Sequence, residues 1–198
     1  MKRVTHTRPK QLGFYVNAKR CIGCFSCAMA CKNRYHQPVE VLWRKVYQLD
    51  EAIYPHPYRG YYSLACNHCE NPICLKACPV SAYFKRIADG IVIHDQDKCI
   101  GCGNCIRSCP YGAPQYNPKL KKAEKCNLCQ ERVDLELQPA CVEACPVDAL
   151  ILIDILKEDL SDATQFPPGF PFNHELNPSV RFTLPTSPMM VRSDAHED

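Results

Sequence analysis

Four compact groups of four cysteines constrain the fold of this 198-residue chain more than any other feature of its sequence. Groups one and three share the spacing C-x2-C-x2-C-x3-C, group two has C-x2-C-x4-C-x3-C, and group four has C-x2-C-x11-C-x3-C. In order, the groups are Cys21, Cys24, Cys27 and Cys31; Cys66, Cys69, Cys74 and Cys78; Cys99, Cys102, Cys105 and Cys109; and Cys126, Cys129, Cys141 and Cys145. Since the groups contain all sixteen cysteines, their chemistry has to account for every one of them.

This spacing is typical of bacterial two-cluster ferredoxins, whose cysteine thiolates hold [4Fe–4S] clusters. A [4Fe–4S] cluster takes four thiolates, so sixteen thiolates predict four clusters with no cysteine left over. Gly23, Gly101 and Gly103 lie inside such loops, where a positive φ angle or a close approach of the backbone excludes a side chain. In these ferredoxins the fourth cysteine of each group binds the other cluster, so we expect the groups to work in pairs. A chain organised around four clusters is most simply a carrier of electrons.

Disulfides, structural zinc and scattered buried thiols fit the cysteine spacing less well. Disulfide scaffolds are usually short secreted chains without this regular pattern. Structural zinc sites use pairs of C-x2-C knuckles, in which a third cysteine two residues further on is not needed. Buried structural thiols would not cluster at all. The spacing therefore favours iron–sulfur clusters over all three.

The charge of the protein depends on its clusters. The formal net charge of the chain is +3. Binding requires sixteen thiolates, and each oxidised cluster core returns about two positive charges, so the loaded protein carries about −5. The composition therefore gives no argument for nucleic acid as a partner. Because the clusters must act as the core, we expect the metal-free chain to be poorly folded.

No stretch of the sequence approaches the roughly 20 apolar residues of a membrane-spanning helix. The best apolar run, Ala149 to Leu156, is interrupted by Asp154. The basic residues 1–11 precede no apolar segment and contain no Arg-Arg pair, so they do not match a signal peptide. We expect a protein that stays in the cytoplasm or leaves it folded, with a partner that carries the signal.

Short strand patterns alternate with the cysteine groups, which predicts an α+β fold built from a repeated unit of cysteine loop, short helix and strand. We predict strands at Phe14–Val16 and Ala149–Ile153. A hairpin is predicted for Ala82–Arg86 and Ile91–His94, because Asp-Gly between apolar runs is a strong hairpin signal.

Two further segments lack cysteine. Lys32 to Gly60, which includes Trp43, Tyr47, Tyr54 and Tyr58, is predicted to be a polar and aromatic connection. The tail from Phe166 to Asp198 contains six prolines and cannot form a long helix. Its phenylalanines (Phe166, Phe170, Phe172 and Phe182) are costly to leave in water, so we predict an extended arm laid over a partner subunit, with a disordered end as the alternative.

Three segments carry a resemblance to a known family: CNHCENP at residues 66–72, CIGC at 99–102, and CPYGAPQYN at 109–117. They resemble the four-cluster iron–sulfur subunits of the dimethyl sulfoxide reductase family of molybdopterin oxidoreductases, in particular that of the anaerobic dimethyl sulfoxide reductase, from about Gly13 to Ile155. In this family a large subunit with a molybdenum or tungsten bis-pterin performs the chemistry. The four-cluster subunit carries electrons between it and a quinone-reactive membrane subunit.

The resemblance therefore implies a non-catalytic subunit of anaerobic respiration that is membrane-associated through its partners. It favours export with a partner's signal slightly over residence in the cytoplasm. Related subunits serve polysulfide, thiosulfate, tetrathionate, arsenate and nitrate reductases and formate dehydrogenases, so the resemblance does not specify a terminal substrate.

The resemblance also implies how the groups pair. Groups one and four would form one ferredoxin-like module (residues 10–32 and 115–155), and groups two and three a second module inserted into it (residues 60–114). Residues 33–59 would be a connecting insert and residues 156–198 a Pro-rich C-terminal arm. The implied ligand sets are Cys21, Cys24, Cys27 and Cys145 for cluster 1; Cys31, Cys126, Cys129 and Cys141 for cluster 2; Cys66, Cys69, Cys74 and Cys109 for cluster 3; and Cys78, Cys99, Cys102 and Cys105 for cluster 4.

The same pattern implies that clusters 1 to 4 follow one another from the catalytic subunit towards the membrane. Some relatives replace the second cysteine of group three and hold a three-iron cluster there. Because this chain keeps Cys102, we predict four cubanes.

Several residues beside the groups are interpreted as supporting ones. His68 lies between two ligands but is expected to pack beside the cluster, because group two already supplies three cysteines. Tyr111 and Tyr116 are expected to shield the cluster from water. A basic run before group four is expected to be a solvated loop, with docking to an acidic partner or raising a cluster's potential as alternatives. It consists of Lys119, Lys121, Lys122 and Lys125.

The alternative function is that of a free-standing polyferredoxin, or of an electron-transfer subunit in a soluble aldehyde oxidoreductase or hydrogenase-type complex. Such a protein would hand electrons among soluble proteins. The sequence contains no convincing nucleophile–base pair, phosphate-binding loop or pair of catalytic carboxylates. We therefore predict no catalytic residue in this chain.

Overall fold

The computed structural model describes residues 10–51, 58–167 and 170–184. Short helices and small sheets follow one another between the cysteine groups, which agrees with the predicted α+β class. The helices are α1 (Ser26–Arg34), α2 (Ile73–Lys76), α3 (Asn104–Ser108), α4 (Gln130–Val133) and α5 (Ala140–Glu143). The strands are β1 (Leu12–Asn17), β2 (Lys45–Glu51), β3 (Tyr58–Leu64), β4 (Tyr83–Lys85), β5 (Val92–His94), β6 (Gln115–Asn117), β7 (Lys122–Glu124), β8 (Leu150–Asp154) and β9 (Val180–Thr183). A 3-10 turn, His174–Leu176, precedes β9.

Strand β1 is the centre of a three-stranded sheet with the order β8-β1-β9. Strand β8 pairs with it in antiparallel fashion, with Phe14 opposite Leu152. The predicted strands at Phe14–Val16 and Ala149–Ile153 are therefore confirmed. Because β1 leads into cysteine group one and β8 follows group four, their pairing brings the first and last groups close together.

Two pairs of helices connect the cysteine groups. Helix α1, which carries Cys27 and Cys31, packs against α5, which carries Cys141. Helix α2, which carries Cys74, packs against α3, which carries Cys105. The helices thus bring group one against group four, and group two against group three.

Two segments of the chain repeat one another in sequence and in local structure. Residues 74–82 read CLKACPVSA and residues 141–149 read CVEACPVDA. In each, the N–H of the final alanine donates to the sulfur of the last cysteine. The two bonds, from Ala82 to Cys78 and from Ala149 to Cys145, are both 3.2 Å long. The two segments thus share a short helix and the same hydrogen-bonded turn after it.

The predicted hairpin between groups two and three is confirmed. Strands β4 and β5 pair antiparallel, with Phe84 opposite Ile93. The turn between them ends at Gly90, whose φ angle of +73° is one that L-residues with side chains rarely adopt. A Cβ atom at this position would also displace the amide end of the Gln11 side chain.

The segment that was predicted to be a connection contains one strand of a second hairpin. Strands β2 and β3 pair antiparallel from Lys45 opposite Leu64 to Glu51 opposite Tyr58. The rings of Tyr47 and Tyr62 stack across this hairpin at 5.3 Å. The prediction of a connection is wrong at this point, because β2 shows no strict alternation of apolar and polar residues that would mark a strand. Residues 52–57, which include Tyr54, lie outside the described part of the chain.

The C-terminal segment folds onto its own chain. Strand β9 pairs in parallel with β1, with Phe14 opposite Val180. Phe182 is fully buried, and its ring lies 5.7 Å from the ring of Tyr62 and 5.6 Å from that of Phe170.

The expectation of an arm on a partner, or of a disordered end, is therefore wrong for residues 170–184. The physical reason is that phenylalanines which are costly to leave in water find apolar surface within the same molecule. Residues 168–169 and 185–198 lie outside the described part of the tail.

Cysteine side chains make up part of the core. Half of the sixteen are buried, and several lie in the same apolar cluster as Phe14, Leu128 and Phe182. In the portion of the chain that the structure covers, no helix has the length and apolar character needed to cross a membrane.

The packing of β9 leads to a stability prediction. Phe182→Ala should destabilise the loaded protein by about 3–5 kcal/mol, because it leaves a cavity between Tyr62 and Phe170. For a domain of this size, that corresponds to a melting temperature lowered by roughly 6–20 °C. Thermal unfolding followed by circular dichroism measures the change.

The matched control is Phe172→Ala, which truncates a ring that is 70% exposed in the same segment. This variant should melt within a few degrees of the parent. Equal losses in the two variants would contradict the burial of β9.

Candidate metal centres

The first three cysteines of group one and the last cysteine of group four line the same small cavity. Cysteines from both ends of the cysteine-rich region line it: Cys21, Cys24, Cys27 and Cys145. Apolar residues form most of the remaining wall, among them Val16, Ile22, Phe25, Val46 and Leu150. The pairing of β1 with β8 creates this arrangement. The structure thus brings together the four residues of the ligand set expected for cluster 1.

A second enclosed cavity lies between groups two and three. Four cysteines line it: Cys66, Cys69, Cys74 and Cys109. Its other walls include Ile73, Val92, Tyr111, Ala113 and Leu176, so it is also mainly apolar. These cysteines are the set expected for cluster 3, and they again come from two different groups.

The cysteines expected for cluster 2 are electrostatic neighbours. Burial, followed by repulsion from Cys141 and Cys129, raises the pKa of the Cys31 thiol to about 12. Burial and repulsion from Cys31 and Cys141 likewise raise the pKa of Cys126. Cys31 of group one therefore lies among the cysteines of group four, as the implied exchange of the fourth ligand requires.

The set expected for cluster 4 comes together less completely. Cys105 lies beside Cys99 and Cys102, whose repulsion adds to burial in raising its pKa. Cys78 and Cys99 both pack against the buried cluster that contains Cys105. In addition, the side-chain amide of Asn104 donates to the carbonyl of Ala77 at 3.4 Å.

The donor sets fit [4Fe–4S] clusters. All sixteen thiols lie in the described part of the chain, and all are free rather than joined in disulfides. In the described residues, no three Cys, His, Asp or Glu side chains lie close enough together to hold a single metal ion. In the two cavities, four cysteines instead surround a common apolar space. A cubane suits this arrangement because each of its thiolates binds a different iron atom.

The cysteine loops have the backbone that their glycines predict. Gly23, Gly101 and Gly103 have φ angles of +68°, +72° and +74°. A Cβ atom on Gly101 would overlap the carbonyl oxygen of Lys121. Backbone N–H groups also point at sulfur, as in the bond from Leu128 to Cys126 Sγ at 3.3 Å. Such bonds stabilise negative charge on the sulfur atoms.

Sequence patterns did not identify Arg44, which is a buried cation among the cysteines. Burial opposes its charge, but attraction to sulfur atoms prevails and raises the pKa of the guanidinium. The sulfurs are those of Cys141, Cys126, Cys27 and Cys31. An arginine in the sequence WRKVY carries no signal of burial, so nothing in the sequence pointed to this role.

Lys125 is a second buried cation, and it corrects the interpretation of the basic run. Its ammonium group donates to the carbonyl oxygens of Val92 at 2.5 Å and Cys126 at 2.9 Å. It also lines the second cavity, where its charge lowers the pKa of Cys74 against the stronger effect of burial. Lys119 and Lys121 are exposed, as predicted for a solvated loop. The prediction is wrong for Lys125, which is buried.

The aromatic residues beside the groups divide into two kinds. Tyr111 is buried, lines the second cavity and stacks on Phe170 at 4.9 Å, as expected for a residue that excludes water. Tyr116 lies on the surface instead, so the shielding predicted for it is wrong. Tyr83, which the sequence did not single out, is buried with its hydroxyl near Cys105; burial and this contact raise its pKa.

His68 has the supporting role expected of it. It is buried, and its Nδ1 atom accepts a hydrogen bond from the Val92 N–H at 3.0 Å. Burial, followed by repulsion from Lys125, holds its pKa well below the usual range, so the ring is neutral. It connects group two with β5.

Comparison with known proteins identifies relatives that are iron–sulfur subunits. The family model of the 4Fe-4S dicluster domain matches residues 58–155. The chain is 41% identical over 180 residues to a chain of the anaerobic dimethyl sulfoxide reductase of Escherichia coli, with 86% of this chain and 87% of that protein covered. It is 39% identical over 142 residues to a subunit of the tetrathionate reductase of Salmonella typhimurium, with 71% of this chain and 56% of that one covered. It is 37% identical over 164 residues to the formate dehydrogenase iron-sulfur subunit of Wolinella succinogenes, with 71% of this chain and 80% of that one covered.

Removal of iron should unfold the protein. Metal–thiolate binding contributes on the order of 10 kcal/mol in small metal-dependent domains, which is comparable to the whole stability of about 5–15 kcal/mol of a folded protein. Without clusters, Arg44 and Lys125 also become buried charges without a negative partner. Near-ultraviolet circular dichroism and trypsin cleavage, measured before and after anaerobic chelation, should reveal the loss of tertiary structure.

Reloading with iron and sulfide should restore the original spectrum and protease resistance, which excludes irreversible damage. A metal-free chain that melts at the same temperature as the loaded protein would show that clusters are not part of the core.

Proposed function

We propose that this chain is the electron-transfer subunit of a respiratory oxidoreductase. The chain belongs to the family of 4Fe-4S iron–sulfur subunits that includes the one in anaerobic dimethyl sulfoxide reductase. It would carry single electrons through four [4Fe–4S] clusters. The electrons would pass between a molybdenum or tungsten bis-pterin catalytic subunit and a quinone-reactive membrane subunit. The observation that carries the proposal is the pair of apolar cavities, each lined by four cysteines from two different groups.

The number of clusters follows from the sixteen free thiols and the pairing of the groups. We assign Cys21, Cys24, Cys27 and Cys145 to cluster 1, and Cys66, Cys69, Cys74 and Cys109 to cluster 3. The packing of α1 on α5 and of α2 on α3 supports the other two sets. It also supports two ferredoxin-like modules, with residues 60–114 inserted between residues 10–32 and 115–155.

Two exposed cysteines lie at the two ends of the proposed chain of clusters. Cys24 of group one and Cys102 of group three are exposed, whereas the fourteen others are buried or partly buried. Apolar side chains lie beside both: Ile22 is 59% exposed near Cys24, and Ile100 is 63% exposed near Cys102. Exposed apolar surface around a redox site suits docking of a protein partner. We propose that the group-one end faces the catalytic subunit and the group-three end faces the membrane subunit.

The residues of this chain would hold and tune the clusters and would perform no substrate chemistry. A bound cluster supplies reversible one-electron redox chemistry. The cysteines fix its position, the apolar walls keep water away, and the backbone N–H groups and buried cations stabilise its negative charge. We propose a protein associated with the membrane through its partners, and exported on a partner's signal. The terminal substrate would be determined by the catalytic subunit.

The pairing of groups can be tested with cysteines only four residues apart. Cys145→Ser should abolish the same EPR signal as Cys21→Ser, because both residues are assigned to cluster 1. Cys141→Ser should abolish a different signal, the one that Cys31→Ser abolishes. Serine binds iron more weakly than thiolate, so each substitution should affect mainly its own cluster.

The measurement is EPR spectroscopy of the reduced proteins with iron analysis of each variant. If Cys145→Ser and Cys141→Ser abolish the same signal, groups one and four do not exchange their fourth ligands, and the assignment is wrong.

Metal analysis of the native complex tests the function. Anaerobic purification should give about sixteen iron atoms per chain, four for each of four clusters. A large co-purifying subunit should contain molybdenum or tungsten, and its identity would name the substrate. The same iron content without a partner would support a free polyferredoxin instead. Zinc in place of iron would overturn the proposed function as a whole.

A further inference from the structure

Arg44 occupies a defined position between cysteine groups one and four. Only 1% of the residue is exposed. The central carbon of its guanidinium lies 4.2 Å from the centroid of the Phe14 ring. One terminal nitrogen donates to Ser63 Oγ at 3.0 Å, and this oxygen lies 3.3 Å from Cys27 Sγ. A ring and a hydroxyl therefore hold the guanidinium in place beside the cysteines.

Two further nitrogen atoms of the Arg44 guanidinium lack an oxygen or nitrogen acceptor in the described part of the chain. Its Nε atom and its second terminal nitrogen are buried without a hydrogen-bond partner among the described residues. A buried cation with unpaired donors is strongly destabilising unless a negative group compensates it. The sulfurs of Cys141, Cys126, Cys27 and Cys31 attract its charge, and Cys27 is also linked to it through Ser63 Oγ.

We propose that Arg44 is the buried counter-charge of clusters 1 and 2 and holds their reduction potentials above the values they would have beside a neutral residue. This inference rests on the proposed function, from which it takes the ligand sets. Reduction of a cluster adds one electron and one negative charge. No bond forms or breaks at Arg44, which stays protonated throughout. A fixed positive charge nearby favours the reduced form over the oxidised form.

The geometry also predicts which cluster responds more strongly. Of the four sulfurs that attract the charge of Arg44 most strongly, the first two, on Cys141 and Cys126, and the last, on Cys31, belong to the ligand set of cluster 2. The remaining one, on Cys27, belongs to cluster 1 and is also reached through the hydroxyl of Ser63. The charge should therefore act most on cluster 2, less on cluster 1, and least on clusters 3 and 4, whose ligands are not among the four sulfurs that attract it most strongly.

Redox titration of variants monitored by EPR tests the proposal. The full-length loaded protein is titrated with dithionite as the one-electron reductant, and each signal is assigned with the cysteine variants described above. Arg44→Met should make reduction of cluster 2 at least tenfold less favourable, which corresponds to a potential lowered by about 59 mV for one electron. Cluster 1 should shift in the same direction by a smaller amount.

Two further variants distinguish the effect of the positive charge of Arg44 from the effect of its shape. Arg44→Lys keeps the positive charge and should leave the potential of cluster 2 close to that of the parent. Arg181→Met removes a half-buried arginine whose guanidinium donates to the carbonyl oxygens of Pro178 and Val180 rather than facing cysteines. All four potentials should stay unchanged in this control.

A failure of Arg44→Met to load iron is also informative. Loss of about half the iron, confined to the signals of clusters 1 and 2 and reversed in Arg44→Lys, would support the role as counter-charge, because each cubane holds four irons. The same loss in Arg44→Lys would overturn it and assign Arg44 a role in shape alone.

The remaining outcomes distinguish this inference from the proposed function. Unchanged potentials in an Arg44→Met protein with its full iron content would overturn the inference and leave the electron-transfer function intact. Equal shifts of all four clusters would also overturn it, since they would indicate a general change in structure. A parent protein without iron would overturn the proposed function first.

Discussion

The convergence of cysteines that are distant in sequence is the constraint on which the rest of the structure depends. Short helices of four to nine residues and strands of three to seven would not be stable alone in water. They become a fold because β1 pairs with β8 and α1 packs on α5, which brings Cys21 and Cys145 to one cavity. In the proposed loaded state, iron–sulfur bonds would cross-link these segments and replace much of the hydrophobic packing that a chain of this size otherwise needs.

Local patterns in the sequence predicted those parts of the structure that local chemistry determines. Residues close together in the chain predicted three features: the glycines of the cysteine loops, the hairpin whose turn ends at Gly90, and the strand after group four. The β2–β3 hairpin escaped prediction because β2 shows no strict alternation of apolar and polar residues. The parallel pairing of β9 with β1 escaped prediction because it depends on contacts between distant segments. Arg44 and Lys125 escaped prediction for a related reason: in sequence, a buried cation looks the same as a solvated one.

Because these two cations are buried, part of the positive charge of the chain lies in its interior and not on its surface. A formal charge of +3 describes a mildly basic protein, yet Arg44 and Lys125 are buried and face sulfur or backbone carbonyls rather than solvent. Their burial is costly in a metal-free chain and favourable beside anionic clusters. The buried thiols behave differently from the buried cations. Burial raises the pKa of Cys31 and Cys74 to about 12, so these thiols stay neutral until iron displaces their protons. The buried cations therefore favour the loaded state, whereas the buried thiols have to lose their protons before iron can bind.

The C-terminal segment adds a constraint on the relative position of the two cysteine regions. Ser179 donates its N–H to the carbonyl of Asn67 at 2.9 Å, next to group two. The side chain of Gln11, at the start of β1, donates to Ser179 Oγ at 2.7 Å and to the carbonyl of His68 at 3.2 Å. All of these residues are buried, so water does not compete for the bonds. Electron transfer between clusters depends steeply on their separation. In the proposed loaded state, this segment would hold group two in place relative to β1, and so would help to fix the spacing of the clusters although it supplies no cysteine to them.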